Sequence, residues 1–270
     1  MRKKTWAVFA VVLMGSTITG YLLLSQDAML PPVVQQIATP PTDIPETPPT
    51  QPSHGPVEPA ILHPLNTAPA VETPLGQGLG DAPLLDALRK ILDKNWLDFI
   101  LPDKLILHIV ATVDNLPRKY LPASVVPLRR AKGSFIVSGL DTALQIDSSN
   151  SARYAHYVKL IRSINTEKLV STYRRFYPSF QKAYEELGYP KAYFNDRLVE
   201  AIDDLLAAPE INEPIRLTQP KILFEFTDSE LQARSAGQKI MIRVGRENSV
   251  LIKEKLSEIR KLVTSSSGTS

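Results

Sequence analysis

Residues 169–206 read LVSTYRRFYPSFQKAYEELGYPKAYFNDRLVEAIDDLL, and this stretch decides the fold. Leu169, Tyr173, Phe176, Tyr177, Phe180, Ala183 and Leu187 recur at steps of three and four, the spacing of a single helical face. Gly188 stands where a helix ends in a left-handed residue, and Pro190 follows where a helix cannot continue. A second helix then carries Leu198, Val199, Ile202, Leu205 and Leu206 inward. Asp196, Glu200, Asp203 and Asp204 point to water, and the helix stops before Pro209. Two amphipathic helices joined by a tight turn predict a mainly α, compact multi-helix domain.

Working outward toward the C-terminus, Asp228-Ser229 caps a helix running toward Val244, with Gly245 as its C-cap. A last helix over residues 248–263 turns Val250, Leu251, Leu256, Ile259, Leu262 and Val263 inward. Residues 215–217 and 222–226 read equally as short strands or a short helix. Toward the N-terminus, Asn150 or Ser151 caps a helix to Ser163, and Asn165 or Thr166 starts the central pair. Residues 134–138 and 143–146 flank Gly139 and give a small β-hairpin. Residues 81–100 carry a stripe of Leu84, Leu85, Leu88, Ile91, Leu92, Trp96 and Phe99, with Pro83 at the helix start. Leu105 begins another helix, closed by Pro117, with Ile106, Ile109, Val110 and Val113 on one side. Its His108 reads as a hydrogen-bonded structural histidine.

Ahead of this domain the composition changes. Thirteen of the chain's 23 prolines lie between Pro31 and Pro74, which predicts a disordered Pro-rich linker over residues 27–80. In extended polyproline form, at about 3.1 Å per residue, it reaches on the order of 100 Å. His54 and His63 within it read as solvated, and the linker itself as a passive spacer or as a ligand for a domain that binds Pro-rich peptides. Residues 6–24 hold 19 residues without a charge behind Arg2, Lys3 and Lys4. That approaches the roughly 20 residues needed to cross a bilayer, with the basic end cytoplasmic. The rival reading, a cleaved signal peptide, lacks a good small-x-small cleavage site. The expected layout is a basic tip and transmembrane helix (1–26), the linker, an exported helical domain (81–263) and a disordered tail (264–270).

Charge and motifs exclude more than they assign. The linker holds five acidic residues and no Lys or Arg, while the domain and tail hold 28 basic against 23 acidic residues. That balance is too mild for a nucleic-acid partner. With no cysteine and 4 histidines, no metal cluster or disulfide is expected, and no cofactor motif is found. Glu185-Glu186 and Asp203-Asp204 are neighbours about 100° apart on a helix, so neither forms an acid/base dyad. The basic knot of Arg129, Arg130 and Lys132 reads as a solvated loop.

One polar constellation stands out. Tyr173, Arg174 and Tyr177 share a helical turn, and Asn195, Asp196 and Arg197 open the partner helix. A guanidinium fork beside phenol hydroxyls suits a carboxylate or phosphate, hence an anionic peptide or a sugar acid. The structural alternative pairs Arg174 or Arg175 with Asp196 and makes Asn195 a helix cap. Two functions stay open. One is a tethered binding or scaffolding module for an envelope protein or cell-wall partner. The other is an anchored enzyme acting on envelope material through the Tyr/Arg/Asp cluster.

The runs VATVDNLP (110–117), YRRFYP (173–178), FNDRLVE (194–200) and ARSAGQK (233–239) resemble an uncharacterised bacterial family, domain of unknown function 3014. The resemblance spans residues 81–263. It implies a bacterial envelope protein with a short hydrophobic segment, a Pro-rich stretch and this domain, and it brings no activity. It also implies that the membrane is a bacterial inner membrane and that the domain is periplasmic.

Overall fold

A computed structural model describes residues 60–65 and 80–265, apart from 93, 132, 141, 142 and 213. The expected anchor, most of the linker and the end of the tail lie outside the described residues. Helices α1 (Asp81–Ile91), α2 (Lys94–Leu97) and α3 (Leu105–Asn115) come first. A 3-10 turn (Ala123–Val125), hairpin β1–β2 (Val137–Ser138, Gln145–Ile146) and α4 (Asn150–Arg162) follow. Then come α5 (Thr166–Glu186), α6 (Phe194–Leu206) and hairpin β3–β4 (Leu217–Thr218, Glu225–Phe226). Helices α7 (Ser229–Gln232), α8 (Ala236–Arg243) and α9 (Arg246–Thr264) close the domain. No helix among the described residues is long and apolar enough to cross a membrane.

The central pair forms as its periodicity dictates. Leu169, Tyr173, Phe176, Tyr177, Phe180 and Ala183 of α5 are buried, as are Leu198, Val199, Ile202 and Leu205 of α6. Gly188 turns the chain at φ +106°. Leu187 departs from the expected face and lies 37% exposed, because the helix has already ended beneath it. Pro178 sits inside α5 and has no N–H for the preceding turn.

Helix α3 is the central element. It is buried on nearly all sides rather than one, with Leu105, Ile106, Ile109, Val110, Ala111 and Val113 in the core, and packs against α5 and α6. Its start is capped from a distance, since the Asp81 carboxylate accepts from the Ile106 N–H at 2.9 Å. Asp81 is itself the first residue of α1, after Gly80, so Pro83 falls at the third position of that helix and not the first. The far end of α3 meets the start of α8. The Ala236 and Gly237 N–H groups donate to the carbonyls of Arg118 and Leu116 at 2.6 and 2.9 Å. Helix α9 lies across α4, α6 and α5 and completes the core.

Several expected boundaries move for local reasons. The single helix expected over residues 81–100 breaks after Ile91 into α1 and α2. The one expected from Asp228 to Val244 is two: Asp228 caps α7, and Ser235 then caps α8 by accepting from the Gln238 N–H. Asn150 is buried inside α4, and its amide bonds the Ile136 backbone of the first hairpin instead of capping the helix. Asn165 caps α5 as expected. Within residues 215–226, residues 217–218 and 225–226 form short strands and no helix forms. Ile146 and Leu217 N–H groups bond the Ile215 and Leu144 carbonyls, joining the two hairpins over a small second core of Leu217, Phe226 and Ile242. Arg243 is buried beside it, stacked 4.8 Å from the Phe226 ring centre, and burial lowers its pKa to about 10. Asp203 and Asp204 do not simply face water. Asp203 pairs with Arg260, and Asp204 accepts from Ser235 and Gln238 at 2.6 and 3.0 Å.

Two glycines give opposite expectations. A Cβ on Gly237 would lie 2.8 Å from the Leu205 side chain and 3.1 Å from the Leu116 carbonyl oxygen. Gly237→Ala should therefore part α8 from α3 and cost about 1–3 kcal/mol by overpacking. Gly188→Ala meets nothing within 4 Å and carries only the left-handed backbone penalty, about 1 kcal/mol. Thermal melts should rank them in that order, separated by several degrees.

Candidate functional site

The α5–α6 junction is held by side chains of α5. Gln181 donates to the Ala192 carbonyl at 2.8 Å and accepts from the Phe194 N–H at 2.8 Å and the Tyr177 hydroxyl at 2.9 Å. Tyr193, the N-cap of α6, makes no side-chain cap bond to its own helix. Its hydroxyl is free to serve elsewhere. The ring lies 5.2 Å from Tyr177, which in turn meets Tyr173 edge-on.

Asn195 follows in the first turn of α6 and is fully buried. Its carbonyl oxygen accepts from the Tyr173 hydroxyl at 3.1 Å. Its amide nitrogen donates to the Val263 carbonyl at 3.1 Å and to the His63 carbonyl at 2.8 Å. Val263 lies in the last turn of α9, whose carbonyls have no partner within their own helix. Arg174 serves the adjacent Leu262 carbonyl at 2.8 Å. Two of the residues expected to bind a ligand thus cap the end of α9, where a guanidinium also complements the helix dipole.

His63 belongs to residues 60–65, a strap from the Pro-rich linker laid along the start of α6. The Asp196 carboxylate accepts from two adjacent strap N–H groups, Leu62 at 3.0 Å and His63 at 2.7 Å. The Tyr193 hydroxyl accepts from the Leu65 N–H at 3.0 Å. Leu65 packs against the main core, whereas Ile61 and Leu62 remain 53% and 72% exposed. The strap is therefore gripped by its backbone, in an arrangement that begins with one carboxylate, one amide and one phenol.

The six expected residues divide. Tyr173, Tyr177 and Asn195 come together, and Asp196 stands beside them facing the strap. Arg174 turns to α9. Arg197 turns to α3, where it pairs with the buried Asp114 at 3.0 Å and with Glu200 at 2.6 Å. Arg118 completes that cluster, and Asp114 together with Tyr189 raises its pKa. Neither the expected Arg174–Asp196 pairing nor an Asn195 helix cap on α6 forms, because Asp196 is taken by the strap and Asn195 bonds across to α9. The reading of His63 as solvated is likewise corrected: it is half-buried and held by both its N–H and its carbonyl. Burial holds the Tyr173 phenol well above its usual pKa and raises that of Tyr177. Both therefore stay protonated and act as hydrogen-bond donors.

Sequence reasoning missed Tyr193, Gln181 and the strap. One signal was present: Ala60, Ile61, Leu62 and Leu65 make the strap mostly aliphatic within a polar, Pro-rich stretch. His108, expected to be hydrogen-bonded, leaves its Nδ1 buried without a partner among the described residues, in the wall of a cavity of about 560 Å³ with Arg129 and Arg130. Among the described residues no three His, Cys, Asp or Glu side chains group to hold a metal ion.

A family model matches residues 105–260. The chain belongs to the family described as protein of unknown function DUF3014. No curated protein and no solved structure matches it. The DUF3014 match starts at α3, so it is narrower than the span inferred from residue runs. It includes Tyr193, Asn195 and Asp196 and leaves out α1 and the strap.

Neighbouring substitutions separate the grip from the scaffold. Asp196→Ala should release the strap at little cost to the domain, within about 1 kcal/mol. Hydrogen exchange would show the Leu62 and His63 amides losing protection while the core keeps its own. Arg197→Ala strips the buried Asp114 of one partner and should cost about 3 kcal/mol. The strap amides would stay protected below that lower melting point.

Proposed function

We propose that this chain is a membrane-anchored, periplasmic binding module of the bacterial envelope, and that it binds peptide segments at the start of α6. One observation carries the binding half: Asp196, Asn195 and Tyr193 together satisfy four backbone groups of one short segment, which bends at Leu62 and His63. Each such bond contributes about 1 kcal/mol net, and somewhat more where a carboxylate is the acceptor. The sum suits a weak, exchangeable contact. Protein–peptide recognition of this kind draws affinity from main-chain bonds.

The placement rests on the sequence. Residues 6–24 are uncharged behind a basic tip, and the following linker is rich in proline. A module on such a tether meets partners within reach of its anchor. The chemistry at the clasp favours binding over catalysis, since the Tyr173 and Tyr177 phenols behind it are held protonated by burial and its carboxylate is engaged with N–H donors.

Proximity labelling tests the placement. With a labelling enzyme fused after Ser270, tagged proteins should be envelope proteins. Labelling confined to cytoplasmic proteins overturns the periplasmic reading. Asp196→Ala should remove a specific subset of the labelled proteins while leaving the bulk unchanged.

A further inference from the structure

Resting on the peptide-clasp reading above, we propose which peptides the clasp accepts: segments in which two residues with free N–H groups precede a proline, and a branched aliphatic residue follows it. The chain's own copy is Leu62-His63-Pro64-Leu65. The pattern follows from the donors that the site demands. Asp196 spends its two oxygens on consecutive N–H groups, 3.0 Å from Leu62 and 2.7 Å from His63. Proline is excluded from both places, because it has no N–H. Asn195 then takes the His63 carbonyl at 2.8 Å, so one residue is held on both its donor and its acceptor side. The Asn195 amide cannot swing aside, being pinned by Tyr173 and Val263.

The next nitrogen is that of Pro64, which has no N–H to offer. The site asks for a donor at three of four consecutive nitrogens, and proline occupies the fourth. The Leu65 N–H reaches Tyr193 at 3.0 Å, and its side chain is the one that packs on the core. Ile61 and Leu62 are largely exposed and exert little selection.

With valine or leucine after the proline, the same pattern occurs twice more in the linker, at His54-Gly55-Pro56-Val57 and Glu72-Thr73-Pro74-Leu75. Other prolines there fail it. Pro32 follows Pro31, and Pro45 precedes Glu46. The clasp thus has three candidate occupants on one chain, and a linker from a second copy or from another protein competes for the same place. The attached strap enjoys an effective concentration of about a millimolar. For a site with Kd on the order of 0.1 mM, it therefore weakens binding of a free peptide roughly tenfold.

The test uses the full chain in detergent, with the strap opened by Leu62→Pro and His63→Pro, the two other linker segments disabled by Gly55→Pro and Thr73→Pro, and fluorescent peptides spanning residues 59–67 and 70–77. Both peptides should bind the opened chain within tenfold of each other, and bind the unaltered chain roughly tenfold more weakly. A 59–67 peptide carrying His63→Pro should show no saturable binding, and Leu65→Ala should weaken it several-fold. The opened chain that also carries Asp196→Ala should bind neither. If only the chain's own segment binds, or if the His63→Pro peptide binds as well as the native one, the sequence rule is overturned while the clasp reading stands. If no peptide binds the opened chain, although the strap amides of the unaltered chain are protected from exchange, the clasp reading falls and the strap is a fixed part of the fold.

Discussion

The arrangement depends on the buried amide of Asn195. An unpaired amide in a protein interior is costly, and this one is satisfied on both its oxygen and its nitrogen: Tyr173 of α5, the Val263 carbonyl of α9 and the His63 carbonyl of the strap. Each partner comes from a different element. The amide therefore fixes how the end of α9, the middle of α5 and the start of α6 meet. The strap contact arises from the same constraint, because the nitrogen has two hydrogens and α9 uses only one.

The electrostatic character of the clasp follows from what the scaffold consumes. The arginines near it are committed elsewhere, Arg174 to the end of α9 and Arg197 to the buried Asp114. A carboxylate is left facing outward in the first turn of α6, where the helix dipole favours it. Its acceptors match main-chain N–H groups rather than an anionic ligand. A site built this way reads backbone geometry, and its selectivity falls on where proline stands and where an aliphatic side chain meets the core.

The Asp114 cluster and the Asn195 network tie different parts of the fold together. Asp114 with Arg118 and Arg197 ties α3 to α6 deep in the domain, where removing one ion strands another. The carboxylate of Asp196 lies at the surface and can lose its partner to water. Adjacent residues of one helix therefore face different duties, about 100° apart around its axis.

The helices of the core were legible in the sequence because their determinants are local. Period, cap and breaker sit within a few residues of one another, as Asn165, Gly188 and Pro190 illustrate. The breaks after Ile91 and before Ser235 were not legible, since apolar spacing continues across them. Tyr173, Tyr177, Asn195 and Asp196 could be singled out by composition, but their duties could not. Sequence alone determined where most of the helices form. Only the tertiary structure decided that the linker returns to α6 and that the arginines turn away from it. A guanidinium bonds a carboxylate or a carbonyl equally well, and the choice is made by chain segments some 80 to 130 residues apart.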